Sequence, residues 1–147
     1  MNSFAIQIME HKKRIAVIGS TGSIGTQALE VIRENPEKFE AEVLVAHSNA
    51  DLLINQALEF SPNAVVIGDE KKYQQVKEAL QPHDIKVFAG GKAVEQIVEM
   101  ETIDMVLASI VGYAGLASTI NAIRHKKPIA LANKETLVMA GELMTEA

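Results

Sequence analysis

Residues 13–25 read Lys-Arg-Ile-Ala-Val-Ile-Gly-Ser-Thr-Gly-Ser-Ile-Gly and join a short apolar segment directly to a glycine-rich loop. The apolar run at 15–18 predicts a buried strand, and the spacing of apolar residues over 27–34 predicts a helix. A glycine loop between a strand and a helix is typical of phosphate binding, because the first helical turn presents free backbone N–H groups and a positive dipole end. We expect Gly22 to admit a pyrophosphate close to the backbone and Gly25 to let the helix pack tightly on the strand. Hydroxyl donors for the same ligand are expected from Ser20, Thr21 and Ser23.

The glycine spacing and the end of the next strand both bear on which dinucleotide is bound. The pattern Gly-x-x-Gly-x-x-Gly is one residue longer than the commonest NAD fingerprint, which favours an NADP-type loop over an NAD-type one; an ordinary strand-to-helix turn is the alternative. After a predicted strand at 40–46, an NAD-specific domain would carry an acid for the ribose 2′-hydroxyl. This chain carries His47, Ser48 and Asn49 instead, and Ser48 or Asn49 can cap the next helix. We therefore predict that a 2′-phosphate binds at this corner, and we interpret Asp51 as a helix-dipole partner.

The composition indicates one globular domain and excludes several classes of protein. The chain has 147 residues, of which 48% are hydrophobic and 22% charged, with a formal net charge of −5 and no cysteine. The negative charge argues against nucleic-acid binding, and no segment approaches the roughly 20 apolar residues that a membrane span requires. The absence of cysteine excludes a disulfide framework and favours a reducing, cytoplasmic setting. We predict an N-terminal extension over residues 1–12 and a nucleotide-binding domain over residues 13–147.

Apolar segments alternate with helical patterns along the whole chain. Strands are predicted at 15–18, 40–46, 64–68, 85–88, 103–108 and 128–131, with helices at 27–34, 50–60, 71–80, 92–100, 116–124 and 135–147. This alternation predicts an α/β fold: a Rossmann-like, doubly wound, mostly parallel sheet of about six strands with helices on both faces. The small-residue loop at 109–115 is a candidate nicotinamide site or a simple tight turn. Tyr73 and Lys77 match the Tyr-x-x-x-Lys of short-chain dehydrogenases by chance, since no motif supplies a partner serine.

Five segments in this order resemble the N-terminal NADPH-binding domain of the 1-deoxy-D-xylulose 5-phosphate reductoisomerase family. They are Gly-Ser-Thr-Gly-Ser-Ile-Gly at 19–25, Asn-Pro at 35–36, Leu-Glu-Phe-Ser-Pro at 58–62, Ile-Val-Gly at 110–112 with Ala-Gly-Leu at 114–116, and Leu-Ala-Asn-Lys-Glu at 131–135. The resemblance implies an enzyme of the non-mevalonate isoprenoid pathway that rearranges a phosphorylated ketose and reduces the product with NADPH, aided by Mg²⁺ or Mn²⁺. It also implies a homodimer.

The resemblance also implies roles for individual residues. The residues implied to contact the cofactor phosphates are Thr21, Gly22, Ser23 and Ile24, and Asn49 is implied to contact the 2′-phosphate. Near the nicotinamide the resemblance implies Asn133 and Glu135, and it implies that Lys134 contacts the substrate. Family members often carry Gly followed by Lys or Arg at His47-Ser48, so His47 is a candidate replacement for that cation. The metal-binding carboxylates and the C-terminal domain are implied beyond residue 147, and the scattered histidines have no ligand spacing. We therefore expect a truncated chain that binds nucleotide without turning substrate over.

Two other functions are compatible with the same residues. One is another oxidoreductase with a similar N-terminal half, such as a semialdehyde or homoserine dehydrogenase, whose catalytic residues would also lie downstream. The other is a non-catalytic module that senses the redox state of a dinucleotide. The abrupt end of the chain within a predicted helix favours the enzyme.

Overall fold

The computed structural model describes residues 12–109 and 113–131, and of residues 113–115 and 131 it describes the backbone alone. The strands are β1 Lys13–Ile18, β2 Phe39–Ala46, β3 Ala64–Ile67, β4 Lys86–Ala89, β5 Met105–Ala108 and β6 Ile129–Leu131. The α-helices are α1 Ser23–Glu34, α2 Ala50–Phe60, α3 Tyr73–Leu80, α4 Gly91–Gln96 and α5 Tyr113–Arg124. Short 3-10 turns occupy Glu70–Lys72, Gln81–His83 and Ile97–Glu99.

The six strands form one sheet in the order β4-β3-β2-β1-β5-β6, and every neighbouring pair is parallel. Buried side chains of α1, α2 and α3 pack on one face of the sheet. Those of α4, α5 and the 3-10 turn at Ile97–Glu99 pack on the other face. Parallel strands with near-continuous apolar sequences are expected to be covered on both faces, because each crossover helix must bury its apolar side against the sheet. The predicted doubly wound α/β fold is confirmed.

The boundaries of several helices differ from the prediction. Helix α1 begins at Ser23, four residues earlier than predicted, so Gly25 lies inside the helix. Helix α5 begins at Tyr113 and not at 116, and the helices predicted at 71–80 and 92–100 each divide into an α-helix and a 3-10 turn. The predicted helix at 135–147 and most of the N-terminal extension lie outside the described residues. No helix in the described part of the chain is long and apolar enough to cross a membrane.

Strand β2 contains one residue more than β1 opposite it. Ile15 pairs with Ala41, but Ala16 pairs with Val43, so Glu42 forms a bulge. Because successive side chains of a strand point to opposite faces, this extra residue exchanges the faces on which the later residues of β2 pack. Ala41 and Leu44 consequently lie in the same buried cluster, although three positions separate them.

Strand β5 is fastened to β1 at both ends. At the amino end, the Asp104 carboxylate accepts hydrogen bonds from the backbone N–H of Arg14 at 2.8 Å and from its Nε at 3.3 Å. The hydrogen bond to Asp104 raises the pKa of the Arg14 guanidinium above its ordinary value. At the carboxyl end, the backbone N–H of Ser109 donates to the Ile18 carbonyl at 2.9 Å. These contacts fix the end of β5 beside the glycine loop.

Two glycines with different requirements form the turn between β1 and α1. Gly19 has φ +93°, a left-handed conformation that side chains of L residues rarely adopt. At Gly25 the requirement is space, since a Cβ atom would lie 1.9 Å from the carbonyl oxygen of Gly19 and 2.8 Å from the α-carbon of Ser20. The expectation that Gly25 lets the helix pack tightly against the end of the strand is confirmed.

We predict that Gly25→Ala lowers the free energy of unfolding by at least about 2 kcal/mol, because the added methyl group can be accommodated only by moving backbone. Urea denaturation followed by circular dichroism measures the loss. Gly22→Ala is the matched control, because a Cβ at Gly22 would approach no neighbouring atom more closely than 3.8 Å. Equal stability of the two variants would contradict the close approach at Gly25.

An ion pair on the surface joins the helices α1 and α2. The Arg33 guanidinium donates two hydrogen bonds to the Glu59 carboxylate and lies over the Phe60 ring, with its Cζ atom 5.3 Å from the ring centroid. The hydrogen bond from Arg33 lowers the pKa of Glu59 below its ordinary value. A carboxyl group whose pKa is lowered by folding stabilises the protein above its unfolded-state pKa, and this contribution disappears as the pH falls through the lowered folded-state pKa.

We predict that Glu59→Gln lowers the free energy of unfolding by no more than about 1 kcal/mol at about pH 7, because both side chains are about half exposed and solvent screens the pair. The difference from the unmodified chain should shrink as the pH is lowered towards about 3, since the stabilisation from the lowered pKa of Glu59 is lost progressively below the unfolded-state pKa. Urea denaturation at the two pH values tests this. Glu37→Gln, which removes an exposed carboxylate that has no ion pair within the described residues, is the control.

Candidate functional site

The candidate site lies at the carboxyl ends of β1 and β5. From β1 the chain adds strands outward in one direction as far as β4, and it then returns to place β5 on the other side of β1. The helices that follow β1 and β5 therefore lie on opposite faces and leave a crevice between the two strand ends. Open α/β sheets bind their ligands at such a switch point.

Backbone N–H groups at the start of α1 are free to bind an anion. Within the described part of the chain, the amides of Thr21, Ser23, Ile24 and Gly25 have no hydrogen-bond acceptor, whereas the amide of Gly22 donates to the Gly19 carbonyl at 3.4 Å. The N-cap residue Gly22 supplies no side-chain cap, and the first turn of α1 contains no acidic residue. Unpaired donors together with the positive end of the helix dipole favour a phosphate at this position.

The side chains of the loop differ in their accessibility. Gly22, Ser23 and Ile24 are exposed and Thr21 is half-buried, so these predicted contact residues lie on the surface of the loop. Ser20 is fully buried and its Oγ has no partner among the described residues. The expectation that Ser20 donates its hydroxyl to the ligand stays a prediction, and the burial of its side chain argues against it.

The carbonyl groups below the loop are bound by residues from two other elements. The single hydroxyl proton of Ser109, at the end of β5, is shared between the carbonyls of Ile18, 2.5 Å from Oγ, and Gly19, 2.9 Å from Oγ. The Nε2 of Gln56, in α2, donates to the Ser20 carbonyl at 2.9 Å. The sequence placed Ser109 in the candidate nicotinamide loop at 109–115 but did not predict these hydrogen bonds, and it assigned no role to Gln56.

A second group of predicted residues lies beside the loop, at the end of β2. His47, Ser48 and Asn49 are all exposed there. The Asn49 Oδ1 accepts a hydrogen bond from the Leu52 backbone N–H at 3.2 Å, which confirms Asn49 as the N-cap of α2. The helices α1 and α2 thus both direct their positive ends towards this edge of the sheet.

The end of β2 contacts both the glycine loop and the end of β3. The amides of Gly19 and Ser20 both donate to the Val45 carbonyl, at 2.8 and 2.9 Å. A Cβ atom at Gly68, just after β3, would lie 2.9 Å from the Nδ1 of His47, so the His47 ring occupies the space that a side chain there would need. Gly68 is a further residue that sequence reasoning missed.

Asp51 lies in the first turn of α2, as predicted for a helix-dipole partner, whereas the remaining sequence predictions lie on α3 or outside the described residues. The Asp51 carboxylate accepts a hydrogen bond from Gln75 Nε2 at 2.7 Å, which gives it a role between α2 and α3. Tyr73 and Lys77 contact each other on α3, with the Lys77 Nζ 5.6 Å from the centre of the Tyr73 ring. Asn133, Lys134, Glu135 and residues 110–112 lie outside the described residues. Among the described residues, no three His, Asp or Glu side chains form a group that could hold a metal ion.

A family model and the curated relatives of this chain agree on one family. The family model for 1-deoxy-D-xylulose 5-phosphate reductoisomerase matches residues 15–141. A curated reductoisomerase of that name from Phocaeicola vulgatus is 62% identical over 133 residues, which are 90% of this chain and 35% of the relative. The semialdehyde or homoserine dehydrogenase and the sensing module named above as alternatives are not favoured by these matches.

Solved structures of the same enzyme share the fold. The reductoisomerase from Zymomonas mobilis in complex with NADPH is 38% identical, with a TM-score of 0.78 over 92% of this chain and 36% of that one. A reductoisomerase structure in complex with NADPH, fosmidomycin and magnesium is 37% identical, with a TM-score of 0.77 over 91% of this chain and 33% of that one. This chain spans about 35% of the length of the curated relatives that it matches. It belongs to the 1-deoxy-D-xylulose 5-phosphate reductoisomerase family.

Proposed function

We propose that this chain binds NADPH as part of an enzyme that converts 1-deoxy-D-xylulose 5-phosphate into 2-C-methyl-D-erythritol 4-phosphate in non-mevalonate isoprenoid biosynthesis. The observation that carries the proposal is a group of four amides, at Thr21, Ser23, Ile24 and Gly25, that have no acceptor within residues 12–109 and 113–131 and lie at the switch point of a doubly wound sheet. Such a group fits the diphosphate of a dinucleotide. The NADPH complex of the Zymomonas mobilis relative supports the choice of ligand.

The described residues divide the binding of the cofactor between two helix ends. Thr21, Gly22, Ser23 and Ile24 would hold the diphosphate on the first turn of α1. His47, Ser48 and Asn49 would surround the 2′-phosphate at the start of α2. With its diphosphate and its 2′-phosphate both held, NADPH would be oriented along the edge of the sheet. Such orientation is what a protein contributes to hydride transfer. Bound NADPH supplies the hydride that reduces the rearranged substrate.

The substrate end of the site is proposed for residues that follow β6. Asn133 and Glu135 would lie beside the nicotinamide half, and Lys134 would bind the anionic ketose phosphate as a point charge. The rearrangement requires a divalent cation, magnesium or manganese, as a Lewis acid on the substrate oxygens. The relative in complex with NADPH, fosmidomycin and magnesium supports this requirement.

We also propose that the enzyme works as a homodimer in the cytoplasm. The resemblance to the family supports the dimer, and a sequence without cysteine is compatible with a reducing compartment. A nucleic-acid partner is not proposed, since the formal net charge is −5 and repels a polyanion.

We predict that the 147-residue chain binds NADPH and that Gly22→Ala raises the dissociation constant at least about tenfold. The added methyl group projects from the exposed surface of the loop, where it would hold a phosphate away from the amides. Isothermal titration calorimetry measures both constants, and thermal denaturation verifies that the variant remains folded, as the free space at Gly22 requires. If the unmodified chain binds NADPH and Gly22→Ala binds it equally well, the diphosphate does not lie on this loop.

We predict that Asn49→Asp selects against the 2′-phosphate. Aspartate caps a helix as well as asparagine does, so α2 and its hydrogen bond to Leu52 should persist. A new negative charge close to the 2′-phosphate should raise the dissociation constant for NADPH at least about tenfold, while the constant for NADH changes little. Asn49→Ser, which keeps a neutral cap, should retain the preference for NADPH. Parallel weakening of both cofactors in Asn49→Asp would place the 2′-phosphate elsewhere.

A further inference from the structure

Gln56 is a polar residue in the apolar core between α2 and the sheet. Its side chain is 6% exposed and packs in the helix face that contains Leu53 and Ala57, both fully buried. Nε2 donates to the Ser20 carbonyl, 36 residues away, but Oε1 is buried without a partner among the described residues. An unpaired buried amide oxygen destabilises a fold, so an apolar side chain would suit the core better. The one hydrogen bond that Gln56 makes ends in the glycine loop, and this location indicates why a glutamine is present.

The hydrogen bond from Gln56 determines the direction of the peptide unit between Ser20 and Thr21. In a trans peptide the C=O and N–H groups point in opposite directions. Because Gln56 holds the Ser20 carbonyl towards the core, the Thr21 amide must point outward. That amide is one of the loop donors that have no acceptor in the part of the chain that the structure describes. Gln56 thus orients a ligand-binding group that it does not touch.

Helix α2 connects this contact to the second phosphate corner. Asn49 caps the helix at its start, and Gln56 lies two turns further along the same helix. The corner at Asn49 and the direction of the Thr21 amide are therefore both fixed by the position of one helix. Two anchors on one rigid element favour a ligand with two separated phosphate groups.

We propose that Gln56 is a positioning residue for dinucleotide binding, which turns the Thr21 amide towards the diphosphate. The proposal rests on the proposed binding of NADPH to the loop. According to this proposal, the side-chain amide of Gln56 contributes to the affinity for the diphosphate and does not contribute to the affinity for the adenosine end.

The test compares Gln56→Leu with the unmodified 147-residue chain. Leucine keeps the packing volume and removes the donor, so we expect the dissociation constant for NADPH to rise about three- to tenfold. Adenosine 2′-monophosphate, which lacks the diphosphate, should bind both proteins equally. Leu53→Val is the matched control, because it removes volume from the same buried helix face, keeps the Gln56 amide and should leave the affinity of the folded protein unchanged.

Hydrogen exchange of the Thr21 amide, followed by NMR, provides a second measurement in the unmodified protein. NADPH should slow this exchange in the unmodified chain and slow it much less in Gln56→Leu. The proposal is overturned if NADPH binds without protecting the Thr21 amide, even where the variant does not fold. It is also overturned if Gln56→Leu binds NADPH normally, or if it weakens both ligands equally. Failure of the unmodified chain to bind NADPH would overturn the proposed function itself.

Discussion

The close contact between the α-carbon of Gly25 and the carbonyl of Gly19 is the constraint on which the ligand edge depends. A single Cβ atom at Gly25 would lie 1.9 Å from that oxygen, so the first turn of α1 can approach the end of β1 only through a residue without a side chain. This approach brings the positive end of the helix to the edge of the sheet. The left-handed conformation of Gly19 turns the chain in the short space that remains.

The bulge in β2 brings a second anchor to the same edge. Because Glu42 is an extra residue relative to β1, the later part of β2 is shifted by one residue along β1, so that Val45 pairs with Ile18 on one side and with Val66 on the other. The Val45 carbonyl can then accept the amides of Gly19 and Ser20. The backbone of the loop is consequently bound by residues of β2, of α2 and at the end of β5, whereas the amides of Thr21, Ser23, Ile24 and Gly25 have no acceptor among the described residues. The hydrogen bond from Gln56 holds the Ser20 carbonyl towards the protein. The N–H group of Thr21, on the other side of the same peptide unit, therefore faces outward.

The sequence predicted the order and type of the elements well, because parallel strands buried on both faces appear as apolar runs. It placed the start of α1 at 27 because glycines normally indicate loops, whereas Gly25 is helical for reasons of space. The bulge at Glu42 and the roles of Gln56 and Ser109 could not be predicted. Each depends on which segment lies opposite in the folded chain, and a lone glutamine in a helical pattern has no feature that distinguishes a buried position from a solvent-facing one.

The order of the strands gives the proposed cofactor its direction. Neighbouring strands lie about 4.8 Å apart, so the carboxyl ends of β2, β1, β5 and β6 form a row roughly 14 Å long. The residues proposed for the 2′-phosphate follow β2, those proposed for the diphosphate follow β1, and residues 133–135 follow β6. A dinucleotide extended along this row would therefore pass from its adenosine end to its nicotinamide end in the order in which the sheet presents the predicted contacts. Since β5 separates the loop from β6, Ser109 at the end of β5 lies where the two halves of such a ligand would meet.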